Sequence, residues 1–383
     1  MNSAYIASAR MRRIAVRGLV SATVLAAVTG TLTPGAALAD SGVRNGTAGV
    51  PVRSAAAEPA DQAQQVADAA AAGARERVHR MALSYLPGHV RTAASNALRR
   101  TTGDAAIADF FGPQGGYEVA QTLMRDPRTV GRDFSTRVLG VHQAAFSPEV
   151  RAAADRAARG TETDRAAFMK TGYAEAQRRD RLAREADPKR RVVVTEQHRA
   201  SVRALSEGDL GEQVRAAAGS ALRPGATDAD IAEFFGYGWA MGATLDMEAY
   251  RQRGADADVR RHHALPALIA RAVSAENALR SAEDPAKART ETEQAWQVVA
   301  EHAEGARATW LAEQQVAEAR ASSWQKTAES AKGSTDGLWK LMAAPAANLQ
   351  KSWTTERTAA GVEAGFWTDL ADRARAGEIR VRG

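Results

Sequence analysis

The chain has 383 residues, with 51 Lys plus Arg against 45 Asp plus Glu and no Cys. The formal charge of +6 is concentrated at the start: residues 1–39 hold four Arg and no acid, which leaves 47 bases against 45 acids over the other 344 residues. A chain so near neutrality lacks the clustered positive excess that displaces counterions from phosphate, which excludes a general nucleic-acid binder. Without Cys it has neither a disulfide framework nor thiolate chemistry.

In chain order, Arg10, Arg12, Arg13 and Arg17 precede an apolar stretch from Leu19 to Leu32, and Ala37 and Ala39 flank Leu38 as small recognition residues. The pattern predicts a secretory signal over residues 1–39, cleaved between Ala39 and Asp40, and hence a secreted, extracellular or cell-wall-associated protein. The apolar stretch falls short of the roughly 20 residues of a membrane span, and no later segment reaches that length, so no transmembrane span is expected in the mature chain. Arg12-Arg13 lacks the residues that would support twin-arginine export, and general secretion is the default.

Residues 40–60 mix Gly, Pro, Ser and Ala without periodicity and read as a disordered mature N-terminus. From Asp61 onward Ala, Arg, Glu, Gln and Leu dominate, and the only run of β-branched residues is Val192, Val193, Val194. An all-α fold is expected.

A first repeat occupies residues 61–250. Val90, Ala94, Ala97 and Leu98 share one helical face, as do Val150, Ala154, Ala157 and Ala158, and Val214, Ala218, Ala221 and Leu222. In each copy an acid follows, Asp104, Glu162 or Asp228, six residues before Phe110, Phe168 or Phe234, where it suits a helix N-terminus. Then comes Gly with an aromatic: Gly116-Tyr117, Gly172-Tyr173, Gly238-Trp239. Helix, capped turn, short helix, Gly break, helix is the expected unit, written three times near 90–120, 150–176 and 214–242. At these residues, most legibly Ala221-Leu222 through Thr227-Asp228, Ile231, Phe234-Phe235 and Gly238, the chain resembles the ALF repeats of secreted actinobacterial proteins. The resemblance implies an exported helical module and carries no catalytic residues with it. The 44 Arg against 7 Lys and the heavy use of Ala also suit the GC-rich genome of such a source.

A second repeat fills residues 255–376. Trp296, Trp310, Trp324, Trp339, Trp353 and Trp367 are spaced 14, 14, 15, 14 and 14 apart, and Ala303, Ala317, Ala331, Ala346, Ala360 and Ala374 each follow a Trp by seven residues. Trp and Ala thus alternate along one heptad seam. The extra residue falls where Gly333 to Gly337 read as a turn. Folding back at Thr335 pairs Trp296 with Ala374, Trp310 with Ala360, Trp324 with Ala346, Trp339 with Ala331, Trp353 with Ala317 and Trp367 with Ala303. This predicts a Trp/Ala helical hairpin, joined by a helix around Asp256–Ser281 into a three-helix region, either within one chain or through the seam of a homodimer. Pro345 is expected to interrupt the returning helix, Gly305 and Gly361 to soften the two arms, and residues 377–383 to form a tail.

Chemical motifs are few. Gly236-Tyr237-Gly238-Trp239-Ala240-Met241-Gly242 resembles a dinucleotide loop only loosely, since no strand precedes it, and reads as repeat punctuation. The seven His show no i, i+4 pair, and adjacent His262 and His263 diverge by about 100° on a helix, so they read as solvated or capping, with no metal site. Lys189-Arg190-Arg191 reads as the start of a helix capped by Asp187, with Pro188 at its first position. Phe110-Phe111 and Phe234-Phe235 read as repeat core. No nucleophile elbow stands out, and no catalytic residue or cofactor is expected. The leading expectation is a secreted, non-catalytic helical scaffold with a protein or cell-wall partner. A membrane- or wall-associated effector that opens its hairpin is the alternative, disfavoured by 9 bases against 11 acids in residues 292–376. An enzyme acting on cell-wall polymer ranks third.

Overall fold

A computed structural model describes residues 59–382. The expected signal segment, its Ala39/Asp40 junction and residues 40–58 lie outside the described residues. Among those described the fold is all-α, with no strand. Pro59 and Ala60, expected in the irregular N-terminus, already belong to the first helix, α1 (Pro59–Leu83), where Pro at a helix start forfeits no intrahelical bond.

Three units follow. The first is α2 (Gly88–Arg99), α3 (Asp104–Phe111) and α4 (Gly116–Met124). After α5 (Pro127–Val141) comes the second: α6 (Pro148–Arg159), α7 (Glu162–Ala167) and α8 (Tyr173–Ala186). After α9 (Glu196–Gly208) comes the third: α10 (Glu212–Ala221), α11 (Asp228–Glu233) and α12 (Trp239–Leu279). The acids Asp104, Glu162 and Asp228 open α3, α7 and α11, and each pairs with an Arg of the helix before its unit: Arg75, Arg128 and Arg199. Thr161 and Thr227 build capping boxes with Asp164 and Asp230. A further acid closes two of the units: Asp180 accepts from Glu149 N at 3.0 Å and Val150 N at 2.9 Å, and Asp246 from Gln213 N at 3.0 Å and Val214 N at 3.2 Å. These carboxylates satisfy orphan amides at the starts of α6 and α10. The corresponding residue of the first unit is Met124, and α2 has no such acid.

The expected Gly break holds only in the first unit. There Pro113 and a left-handed Gln114 (φ 57°) separate α3 from α4. In the other two, Phe168–Gly172 and Phe234–Gly238 are π turns, and the helix runs on without interruption. The first unit carries two more residues between its Phe and its aromatic, one of them Pro, which cannot continue a helix. The basic Lys189-Arg190-Arg191 does not start a helix: Pro188 to Arg190 form a single turn on Asp187, and residues 191–195 have no regular secondary structure. Val192, Val193 and Val194 follow at once, and three β-branched residues resist helical propagation.

α13 (Pro285–Gly333) and α14 (Gly337–Arg382) run antiparallel, joined at Ser334–Asp336. Asp336 caps α14 by accepting from Leu338 N and Trp339 N. Trp296, Trp310, Trp324, Trp353 and Trp367 are buried, Trp339 is half-buried, and Ala303, Ala317, Ala331, Ala346, Ala360 and Ala374 are all buried. The layers are offset from the simple pairing. Trp296 lies against Gly377, one turn past Ala374, and Trp353 lies beneath Arg320, one turn from Ala317. Helical side chains lean toward their own N-terminus, which in an antiparallel pair shifts each contact toward the partner's C-terminus.

Pro345 does not interrupt α14. It leaves the carbonyl of Leu341 without an intrahelical donor, and the side-chain amide of Gln143 donates to that oxygen at 2.7 Å. Gly305 and Gly361 also sit inside unbroken helices; Gly361 faces Gln314. The expected tail is helical to Arg382, with Val381 buried. No domain boundary falls at 250–255, because α12 runs straight through it, and α1 packs Ala63, Val66 and Ala70 into the same core as Trp296 and Trp367.

Two measurements check this packing. Gly377→Ala should lower unfolding stability by about 1–3 kcal/mol, since the added Cβ would lie 2.8 Å from the Trp296 ring. Gln143→Ala should cost about 1 kcal/mol by urea denaturation, and clearly less in a Pro345→Ala background, where residue 345 regains the N–H that Leu341 needs.

Candidate functional site

The polar chemistry of the long-helix core collects where α1, α12, α13 and α14 meet. Asp258 and Glu363 are almost wholly buried. Arg77 of α1 bonds both, reaching Glu363 at 2.7 Å, and Arg80 bonds Glu363 through two nitrogens at 2.9 and 3.0 Å. Trp310 Nε1 donates to Asp258 at 3.1 Å. The motif recurs toward the chain's end: Trp296 Nε1 donates to Glu276 at 2.8 Å, and Arg380 holds Glu276 bidentately at 3.0 and 2.9 Å. Two indoles of the seam are thereby hydrogen-bonded to α12 carboxylates, each neutralised by an Arg. Burial alone would raise the Asp258 carboxyl; Arg77, His262 and the Trp310 N–H outweigh it and hold the group below its ordinary value.

His262, one turn after Asp258, is 3% exposed. It stacks on Phe111 and on Phe366, and its Nδ1 lies 3.2 Å from the Asp258 carbonyl. Its Nε2 has no hydrogen-bond partner. Burial lowers its pKa against the pull of Asp258. His142 is likewise buried, bonded to Tyr173 at 3.0 Å and stacked on Tyr237, with its pKa lowered to about 3 by burial and then by Arg184. Both depart from the solvated or capping reading. His198 follows it, closing the capping box of α9 with Thr195.

Beside His262 a groove of about 550 Å³ runs between α1, α3 and α12. α1 lines it with Ala67, Ala70, Ala71 and Ala74, a small-residue face at helical spacing, and α12 faces these with Leu265 and Ile269.

The sequence-derived positions are spread through the molecule. Phe110, Phe168 and Phe234 are buried in their own units, with Gly116, Gly172 and Gly238 so placed that an added Cβ would come 3.0, 3.4 and 3.6 Å from its unit's Phe ring. Phe111 and Phe235 are buried too, and Phe111 lines the groove. Gly236 faces Phe146, and Gly242 lets the backbone of α12 cross Gln213 and Val214 of α10, which accounts for that glycine run by packing. The structure does not gather these positions into one site. Arg77, Asp258, His262, Glu276 and Glu363 carried no signal of their own; the Arg77 contacts span 181 and 286 residues. The i, i+4 spacing of Asp258 and His262 was the one local clue. Among the described residues no group of three His, Asp or Glu is arranged to hold a metal, and no helix is long and apolar enough to cross a membrane. The chain matches no family model, no curated protein and no solved structure.

The buried imidazoles set an acid limit. Each is neutral when folded and takes up a proton near pH 6.5 when unfolded, so the stability tied to it is complete above that value and is lost as pH falls toward the lowered folded pKa. Urea midpoints should therefore decline below about pH 6.5, and His142→Phe should flatten that decline while keeping the stack on Tyr237.

Proposed function

We propose that the chain is a secreted, non-catalytic helical scaffold that presents its three acid-capped units to a protein or cell-wall partner. The observation that carries this reading is the sealed seam: five of the six heptad Trp are buried, and two of them are hydrogen-bonded to carboxylates that are themselves paired with Arg. Opening the hairpin onto lipid would strip these indoles from their acceptors and leave Asp258 and Glu276 to face apolar surroundings, which is costly for a charge. The near-neutral charge of residues 292–376 supports the same choice. The units stand on a long-helix core that is fixed by packing, as a support for an interaction surface requires.

Tryptophan emission of residues 40–383, recorded with light scattering and with or without anionic vesicles, tests the reading. Blue-shifted emission from a monomer, unchanged by vesicles, is expected. Red-shifted emission that moves to the blue with lipid would overturn it in favour of the openable hairpin.

A further inference from the structure

Residues 187–195, between α8 and α9, are the longest stretch without helix among the described residues, nine in all. That exceeds the roughly two to eight residues usual between packed helices. Near its start stands Lys189-Arg190-Arg191, the only run of three bases in the chain. All three are exposed, and none of their side chains is paired with a carboxylate; the Arg191 guanidinium reaches only the carbonyl of Glu185, at 3.2 Å.

The backbone here is as available as the side chains. α8 ends at Ala186, and Pro188 to Arg190 make one isolated turn, in which the amides of Arg190 and Arg191 donate to the Asp187 carbonyl at 2.9 and 3.0 Å. Beyond the turn the amides of Val192, Val193 and Val194 make no backbone hydrogen bond, and Val193 is 74% exposed. Val192 and Val194 are half-buried against the core that holds Phe235, so the segment is anchored on the α9 side and free on the α8 side.

An endoprotease requires such a segment. Its cleft takes the substrate as a strand, through main-chain hydrogen bonds, so a helix has to open locally before it can enter. Bases at other helix ends meet that obstacle: the amides of Arg280 and Ser281 still donate to Asn277 and Ala278 of α12, and that of Arg100 to Ala97 of α2.

We propose that Lys189–Arg191 is a processing site for an endoprotease that cuts after basic residues. Water adds across one peptide bond: its oxygen joins the carbonyl carbon of Lys189, Arg190 or Arg191, the bond from that carbon to the next nitrogen breaks, and a carboxylate and an ammonium result. The cut releases neither piece. Arg77 and Arg80 of the first piece hold Glu363 of the second, Arg184 holds Glu233 at 2.8 Å, and Val141 and Phe146 pack into the same core as Trp239. The product is one particle made of two chains. The site is independent of the scaffold reading, since a sealed or an open Trp seam leaves this connection unchanged.

Trypsin at a low ratio to residues 40–383, followed by intact mass and light scattering, provides the test. Cleavage within Lys189–Arg191 should come roughly a hundredfold sooner than after any other base of residues 59–382, because those on helices wait for local opening. The two pieces should elute together at the mass of the uncut particle; trimming at Arg44 or Arg53 alters only the start of the first piece. The triple variant Lys189→Gln, Arg190→Gln, Arg191→Gln should resist the cut while its thermal unfolding transition stays in place. The double variant Lys189→Gln, Arg191→Gln, which keeps Arg190, should be cut again, now after Arg190. A first cut elsewhere in residues 59–382, equal cutting of the triple variant, a double variant that stays resistant, or pieces that separate on elution would each overturn the proposal.

Discussion

An indole laid against a facing helix needs a position there without bulk, and α13 and α14 can run side by side because each supplies an Ala every fourteen residues, about every fourth turn, between its own Trp. Gly377 shows how tight the fit is, since even a methyl group would meet the Trp296 ring. Each layer buries a large apolar surface, on the order of several kcal/mol before ordering costs, and several such layers in register hold two helices of 49 and 46 residues together. The other long elements are fastened to this pair. α12 reaches it with Asp258 and Glu276 as acceptors for Trp310 and Trp296, and α1 reaches it with Arg77 and Arg80.

The buried charges do a different job from the indoles. Burying Arg77, Asp258 and Glu363 together costs nearly as much desolvation as their attraction returns, so the cluster adds little net stability. What it adds is discrimination. A slip of α12 or α14 by one residue would leave a carboxylate buried without its Arg, whereas a slip between alanines alone would cost little. The Trp/Ala seam sets how close the helices come, and the ion cluster sets where along their length they stop.

The fold class was legible in composition, and the elements of the seam in spacing, because heptad periodicity is local information. The positions of Trp296 against Gly377 and Trp353 beneath Arg320 were not, because they depend on the lean of side chains along a helix, which counting residues ignores. The continuity of α14 through Pro345 was hidden for a related reason: the donor that meets the freed Leu341 carbonyl, Gln143, lies about two hundred residues away in sequence. The groove was invisible altogether. Its alanines read as ordinary helix formers, and His262 gained its character only when α3 and α14 brought Phe111 and Phe366 onto its ring.

The π turns had a trace in the sequence. Phe168 and Tyr173, and Phe234 and Trp239, are five residues apart, about 140° around a regular helix, yet their rings touch. One inserted residue per turn closes that angle. For α12 the effect reaches far beyond the aromatic pair, because the helix continues unbroken for 41 residues from that turn. Its angular phase is set at its root: excising one residue between Phe234 and Gly238 would rotate everything downstream by about 100°. Asp258, His262 and Glu276 would swing away from their partners together, so a single wide turn acts as the indexing pin for a helix about 60 Å long, at about 1.5 Å per residue.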